Sequence, residues 1–337
     1  MSQLGSLTFL LSAWMLGGNR LRCACDRKRV GTNRVTGRPP GAEMEVQMRR
    51  FSSFRVAAVG SALACVLALV PVVPASATGA SGSSPNNNYL ALGDSVPFGY
   101  NPLLVTHGVD PSVFVGYPEV AATLFTPNLN VSNASCPGET SASLINGARP
   151  DNGCQDYRQY IGALHVSYTG SQFSYAESYL ADNPRTKFVS LMIGANDLLL
   201  LQDSCVNASD VNACIIQGLP SLLVTLRAHL TTIYTGLRAH GYHGDFVAVT
   251  YYSTNYADPI VTGAIAAVDV VLGGVTKVFG GKVADGFYAF AVAAAPYGGD
   301  TCAAGLLIRL TSSTCDIHPS QKGAALLAST VYMAERR

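Results

Sequence analysis

The chain has 337 residues, 48% of them hydrophobic and 13% charged, with 22 Lys and Arg against 21 Asp and Glu. That balance hides a split: residues 1–77 hold 10 basic and 3 acidic side chains, while residues 78–337 hold 12 and 18, a net −6. A mildly acidic body without a basic stripe excludes a nucleic-acid binder, and its 260 residues suffice for one packed α/β domain.

The first quarter does not read as fold. Residues 1–47 are rich in Arg and Gly and carry the single tryptophan, Trp14, with Cys23 and Cys25. A second start pattern begins at Met48. Arg49, Arg50 and Arg55 form a basic region, an apolar run follows from Val56 to Val73, and Ala75-Ser76-Ala77 offers the small residues of a cleavage site. This is the pattern of a secretory signal peptide over 48–77, which makes residues 1–47 an extension ahead of the expected true start. The alternative is a basic arm with an internal membrane anchor, since the apolar run is roughly long enough to span; the cleavage site decides against it. Residues 78–88 are a polar Gly/Ser/Asn linker, and residues 89–337 are the expected folded domain of a secreted protein.

Behind the cleavage site lie six cysteines: Cys136, Cys154, Cys205, Cys214, Cys302 and Cys315. An even number in an exported chain reads as disulfides. They fall into close sequential couples, which favours 136–154, 205–214 and 302–315. Zinc is disfavoured because no Cys-x-x-Cys spacing occurs, and His240-x-x-His243 is interrupted by Gly241.

In chain order, Tyr89–Leu92 reads as a first strand that runs into Gly93-Asp94-Ser95. Residues 97–118 are loop-rich, Glu119–Leu124 a short helix, and Leu129–Ser132 a second strand leading to Cys136-Pro137-Gly138. Ser141–Asn146 starts a helix, 147–170 is an excursion rich in Gly, Asp and Tyr, and Ser171–Asp182 has helical spacing. Phe188–Ile193 is an uncharged apolar run, as a doubly covered parallel strand should be, and ends in Gly194-Ala195-Asn196-Asp197. The spacing then predicts a helix from Pro220 to His240, a strand at Phe246–Tyr252, a helix at Ile260–Phe279 weakened at Gly273-Gly274, and a last strand at Phe287–Ala293. A loop over Asp300–Asp316 and a terminal helix at Ser320–Ala334 complete the domain. Strands alternating with helices imply a parallel sheet with right-handed crossovers.

Gly93-Asp94-Ser95 alone is a weak signal, because such runs usually mark turns. Acyl transfer needs a nucleophile, a base, a group that orients the base, and donors for the oxyanion. Ser95, lifted out at the carboxyl edge of a sheet, is the candidate nucleophile. Of the six histidines, His318 has a carboxylate two residues away in Asp316-Ile317-His318-Pro319, whereas His107, His165, His229, His240 and His243 have no such neighbour. Gly138, after the second strand, lets a backbone N–H approach a substrate. Asn196, after the apolar strand, offers an amide that donates without titrating; the Ser95 N–H is the third donor. Asp94 reads as a turn-stabilising carboxylate rather than a catalytic one. Leu198–Leu201 reads as core before it reads as an acyl wall, and Phe98, Tyr100 and Tyr117 flank the serine as candidates for lining the mouth.

Gly93-Asp94-Ser95, Gly138, Gly194-x-Asn196-Asp197 and Asp316-x-His318-Pro319 stand in the order of the four blocks of the SGNH (GDSL) hydrolases. The chain resembles the secreted actinobacterial esterase and lipase branch of that family over residues 86–337, including the three short-range cysteine couples. The resemblance implies a flavodoxin-like three-layer α/β/α sandwich with about five parallel strands. It also implies Ser95 as nucleophile, His318 as base, and Ser95, Gly138 and Asn196 as the oxyanion hole, with no cofactor and no metal. One departure stands out. The family's last block places its aspartate three residues before the histidine, where this chain has Cys315, while Asp316 lies two before. Asp316 is still the expected orienting group, because residues two apart in an extended segment face one side and Pro319 draws His318 toward extended geometry; its rival is a main-chain carbonyl of the 302–315 loop.

The expected activity is hydrolysis of a small-molecule or lipid ester by a monomer making only transient contact with lipid surfaces. The alternatives are an acetylesterase acting on cell-wall glycans and a surface-binding protein whose hydrolase site is vestigial. N-terminal sequencing of the secreted protein should find a start near Thr78; a mature protein that retains residues 1–47 would overturn the signal-peptide reading.

Overall fold

The computed structural model describes residues 87–337. The expected extension, the signal peptide with its cleavage site, and all but the end of the linker lie outside the described residues.

A strand of continuous apolar residues, β1 (Asn88–Gly93), opens the fold and feeds a single helical turn, α1 (Ser95–Phe98). Next come α2 (Tyr117–Thr123), β2 (Asn130–Asn133), α3 (Ser141–Asn146), the short turn α4 (Cys154–Asp156) and α5 (Gln172–Asp182). The second half continues with β3 (Phe188–Met192), α6 (Ala195–Cys205), α7 (Val211–Ala239), β4 (Asp245–Val249), α8 (Pro259–Val278) and β5 (Lys282–Ala284). It closes with α9 (Gly286–Ala294), β6 (Leu307–Arg309), β7 (Cys315–Pro319) and α10 (Gln321–Glu335).

Strands β1 to β5 form one wholly parallel sheet in the order β2-β1-β3-β4-β5. That order is the flavodoxin-like one, with its topological switch point between β1 and β3. Every residue of β3 is buried, as are Tyr89–Gly93 of β1 and Phe246–Val249 of β4, because both faces of the sheet are covered. The helices pack in two groups. In one, α7 lies against α3, α5, α6 and α8; in the other, α10 lies against α2 and α9. The core is the sheet with the inward stripes of these helices, for instance Leu226, Leu230 and Ile233 of α7 and Leu327 and Val331 of α10.

Several elements differ from the sequence expectation. Residues 287–293 lie in α9, not in a strand: Asp285 caps that helix by accepting from the Tyr288 N–H at 2.9 Å. The fifth strand is instead the short Lys282–Ala284. Helix α7 begins at Val211 rather than Pro220, because Asp210 accepts from Ala213 N–H and starts the helix nine residues earlier. Pro220 sits inside it, where a proline forfeits one backbone hydrogen bond without ending the helix. Gly273-Gly274 does not interrupt α8. Part of the expected 300–316 loop pairs as an antiparallel two-stranded ribbon, β6 with β7. The structure pairs Cys136 with Cys154, Cys205 with Cys214 and Cys302 with Cys315.

The turn after β1 exists because Gly93 has no side chain. Its φ is 141°, and a β-carbon there would stand 2.1 Å from the Met192 carbonyl oxygen of β3. Neither the dihedral nor the neighbouring backbone can yield cheaply. Gly93→Ala should therefore lower unfolding stability by at least about 2 kcal/mol. Urea titration checks this, and a loss below about 0.5 kcal/mol would contradict the steric account.

Candidate active site

The turn that carries Ser95 is fixed from three directions. Gln172, at the start of α5, accepts the Gly93 N–H through Oε1 at 2.6 Å and donates from Nε2 to the Gly93 carbonyl at 2.9 Å. Asp94 is buried and caps α1, its Oδ1 accepting from Val96 N–H at 3.0 Å while Oδ2 accepts from the Tyr251 hydroxyl. Burial pushes the Asp94 carboxyl up to about 6, against the opposing pull of its Tyr251 and Val96 hydrogen bonds. Asp94 thus faces inward and Ser95 outward from one tight turn.

Ser95 Oγ lies 2.8 Å from His318 Nε2. On the far side of the ring, Nδ1 meets Asp316 Oδ1, which also accepts the His318 backbone N–H at 3.0 Å. A carboxylate only accepts, so this contact assigns the proton to Nδ1 and leaves Nε2 free to accept from the serine hydroxyl. Burial alone would raise the Asp316 carboxyl; the hydrogen bond and charge of His318 outweigh it and hold the group below the usual carboxylate range. The pairing is local: β7 bulges against β6 here, with residues 316–318 facing the single Ile308 between the Arg309–Cys315 and Leu307–Pro319 pairs, and the Asp316 carboxylate reaches the His318 backbone N–H two residues on. The strand is held by β6, by the Cys302–Cys315 bond and by the Tyr252 hydroxyl, which donates to the Ile317 carbonyl at 2.7 Å. The Tyr100 ring rests against the imidazole with centroids 4.9 Å apart.

The segments after β2 and β3, the two strands that flank β1, leave the sheet at the same edge as the Ser95 turn. Gly138, with φ 84°, follows β2, and Asn196 occupies the first turn of α6 directly after β3. Among the described residues, neither the Ser95 nor the Gly138 N–H has a protein acceptor. Asn196 is buried; its Nδ2 donates one N–H to the Glu139 carbonyl at 2.9 Å and keeps a second N–H unassigned, while its Oδ1 accepts from Asn152 Nδ2 at 2.9 Å. Asp197 stitches the same two loops together, accepting from Ser141 N–H at 2.9 Å and from Ser141 Oγ–H at 2.5 Å. His229 Nδ1 stands 2.8 Å from Ser141 Oγ, so this histidine belongs to the brace and not to the serine of the turn. The buried Glu139 carboxylate accepts from Ser143 Oγ–H at 2.5 Å and Gln172 Nε2–H at 3.0 Å.

Of the remaining candidates, Phe98 and Tyr117 do not line a mouth. Phe98 is buried in a satellite cluster with Phe114 and Tyr157, and Tyr117 is fully buried beside Ser190. Leu198 is core and Leu199–Leu201 are half-buried on α6. Cys136, Glu139 and Cys154 lie close enough to suggest a metal site, but the two sulfurs are bonded to each other and offer no thiolate. Gln172, Tyr251 and Asn152 gave no signal in the sequence. Their partners lie 79, 157 and 44 positions away.

No protein-family model and no curated protein matches this chain. The solved structures similar to it include a GDSL-like lipase from Parabacteroides merdae, 12% identical, covering 74% of this chain and 96% of its own, with a TM-score of 0.48. Phospholipase A1 from Streptomyces albidoflavus is similar at 18% identity, covering 74% and 99%, with a TM-score of 0.48. An extracellular lipase from Streptomyces rimosus is similar at 15% identity, covering 74% and 99%, with a TM-score of 0.47.

Burial pushes the Glu139 carboxyl up to about 7, only partly countered by its Ser143 and Gln172 hydrogen bonds. The folded protein therefore holds that proton to higher pH than the unfolded chain does. The associated stability is fully present below the ordinary glutamate range and is lost as pH rises through about 7. Glu139→Gln cannot ionise, so its stability should gain on the parent by roughly 3 kcal/mol between about pH 4 and pH 8. Denaturant titrations of both proteins across that range check the sign; a pH-independent difference would contradict it.

Proposed function

We propose that the protein is a secreted serine ester hydrolase of the SGNH type. The observation that carries the reading is the unbroken chain Ser95 Oγ, His318 Nε2, His318 Nδ1, Asp316 Oδ1 at the carboxyl edge of the sheet. Ser95 Oγ attacks the ester carbonyl while His318 Nε2 takes its proton. Asp316, ionised because its carboxyl is held low, fixes the tautomer and stabilises the imidazolium. Negative charge gathering on the carbonyl oxygen is met by the N–H groups of Ser95 and Gly138 and by the second Nδ2 hydrogen of Asn196. Collapse of the tetrahedral intermediate breaks the bond to the alkoxy oxygen, which leaves as the alcohol with the proton from His318. Water then attacks the acyl-enzyme through the same histidine and releases the acid.

Three disulfides support an extracellular setting. The Tyr100 ring beside His318 offers an apolar wall at the base, which favours acyl groups longer than acetyl. A p-nitrophenyl ester series from acetate to palmitate tests that preference on the mature protein.

A fluorophosphonate probe should label the parent at Ser95 and leave Ser95→Ala untouched; an unlabelled parent would mean a vestigial site. Asp316→Asn should lower turnover at least about a hundredfold, since loss of a true triad carboxylate can cost about four orders of magnitude. Near-parental turnover in that variant would pass the orienting role to a main-chain carbonyl.

A further inference from the structure

An oxyanion hole that uses a side-chain amide has a weakness that one built from backbone alone lacks. A carboxamide rotated by half a turn presents a lone pair where it should present a donor, and the two orientations have nearly the same shape. Something must therefore distinguish the oxygen of Asn196 from its nitrogen. One partner is the Glu139 carbonyl, which accepts from Nδ2 at 2.9 Å. The other is the side chain of Asn152, whose Nδ2 donates to Asn196 Oδ1 at 2.9 Å. Flipping Asn196 would set its oxygen against the Glu139 carbonyl and its NH2 group against the Asn152 NH2 group. The Glu139 contact would then be repulsive where Asn196 is buried, and the contact with the half-buried Asn152 would be repulsive for as long as the Asn152 amide keeps its own orientation.

Asn152 also holds the other non-serine donor. Its backbone N–H donates to the Gly138 carbonyl at 2.8 Å, and its own carbonyl passes so close that a β-carbon on Gly138 would stand 2.3 Å from it. The two segments are cross-linked just outside this contact by Cys136–Cys154, with Cα atoms 5.6 Å apart. One residue thus touches both Gly138 and Asn196, and the disulfide keeps it there.

We infer that Asn152 is a positioning residue that sets the amide orientation of Asn196 and the path of the chain at Gly138. The inference rests on the proposal that these two groups are oxyanion donors. Asn152 acts through them and needs no contact with substrate.

The experiment is a double-mutant cycle of Asn152→Ala and Asn196→Ala, read as kcat and KM for a p-nitrophenyl ester. Asn152→Ala keeps the backbone N–H to Gly138 and so isolates the side chain. It should lower kcat roughly tenfold to a hundredfold, short of the about 10²–10³ expected for losing a donor outright, with KM changed less than about twofold. Inhibition by a trifluoromethyl ketone, which places an oxyanion in the site, should weaken by the same factor as kcat. In the Asn196→Ala background the further loss should be under about twofold, because the group being oriented is gone. Asn152→Asp should be worse than Asn152→Ala, since its carboxylate repels Asn196 Oδ1 while retaining the native size, an order that lost packing alone would not produce.

Near-parental kcat in Asn152→Ala beside a strongly impaired Asn196→Ala would overturn this inference and leave the oxyanion reading standing. Losses that simply multiply in the double variant, or an Asp variant no worse than the Ala variant, would do the same. Near-parental turnover in Asn196→Ala would remove the oxyanion role of Asn196 and the inference with it.

Discussion

At the carboxyl edge of the sheet, β1 and β3 run so close that the backbone at Gly93 almost touches the Met192 carbonyl. The rest of the site depends on that approach. A side chain at 93 would push the turn away from β3 and carry Ser95 with it, out of reach of a histidine that lies on a separate ribbon. Gln172 exploits the same closeness by engaging both polar groups of the Gly93 residue, N–H and carbonyl, with one amide. The sheet order then does the remaining work. With β1 flanked by β2 and β3, the loops after all three strands open onto one crevice, and they carry Ser95, Gly138 and Asn196 respectively.

Behind that crevice the chain buries several carboxylates. Asp94 and Glu139 are buried, and Glu119 and Asp197 are largely covered; burial raises all four. An ionised carboxylate out of water is costly unless donors surround it, and each of these has them: Val96 N–H and Tyr251 for Asp94, Gly116 N–H and Asn133 for Glu119, Ser143 and Gln172 for Glu139, Ser141 for Asp197. Apolar contacts tolerate sliding, whereas a carboxylate with fixed donors has one arrangement. The loops at the sheet edge are thus ordered by polar groups at some expense in stability, which is the arrangement that preorganised donors require.

How much of this was legible in the sequence follows from how local each cause is. Continuous apolar runs disclosed β1, β3 and β4, because burial on both faces writes itself into consecutive residues. Ser95, Asn196 and Gly138 stood out as candidates because each lies in the segment that follows a strand. Residues 287–293 misled for the same reason, since a short apolar run fits a buried strand as well as a buried helix. The deciding residue was Asp285 as a cap, one position before the helix and visible only once its bond to Tyr288 is seen. Asn152, Gln172 and Tyr251 were not legible. Each is an ordinary polar residue whose meaning comes entirely from a partner many positions away.

Asp316 shows where the boundary between the two kinds of information falls. Its spacing from His318 departs from the three-residue interval of the family the sequence resembles, and the sequence favoured it while leaving a main-chain carbonyl as rival. The structure has Asp316 Oδ1 against both the Nδ1 and the backbone N–H of His318. Extended backbone before Pro319 was expected; what the sequence did not disclose is that the segment pairs with β6 as a bulged strand and is no free loop. The ribbon bulges at Asp316–His318, three residues of β7 facing one of β6, and the bulge lets one carboxylate oxygen meet both the Nδ1 and the backbone N–H of the histidine two residues on. Cys315 occupies the third position and is bonded to Cys302, where its disulfide closes the ribbon. The two-residue spacing and the disulfide therefore act together: the bulge sets the carboxylate against both nitrogens of its histidine, and the covalent tie beside it fixes the ribbon that carries them.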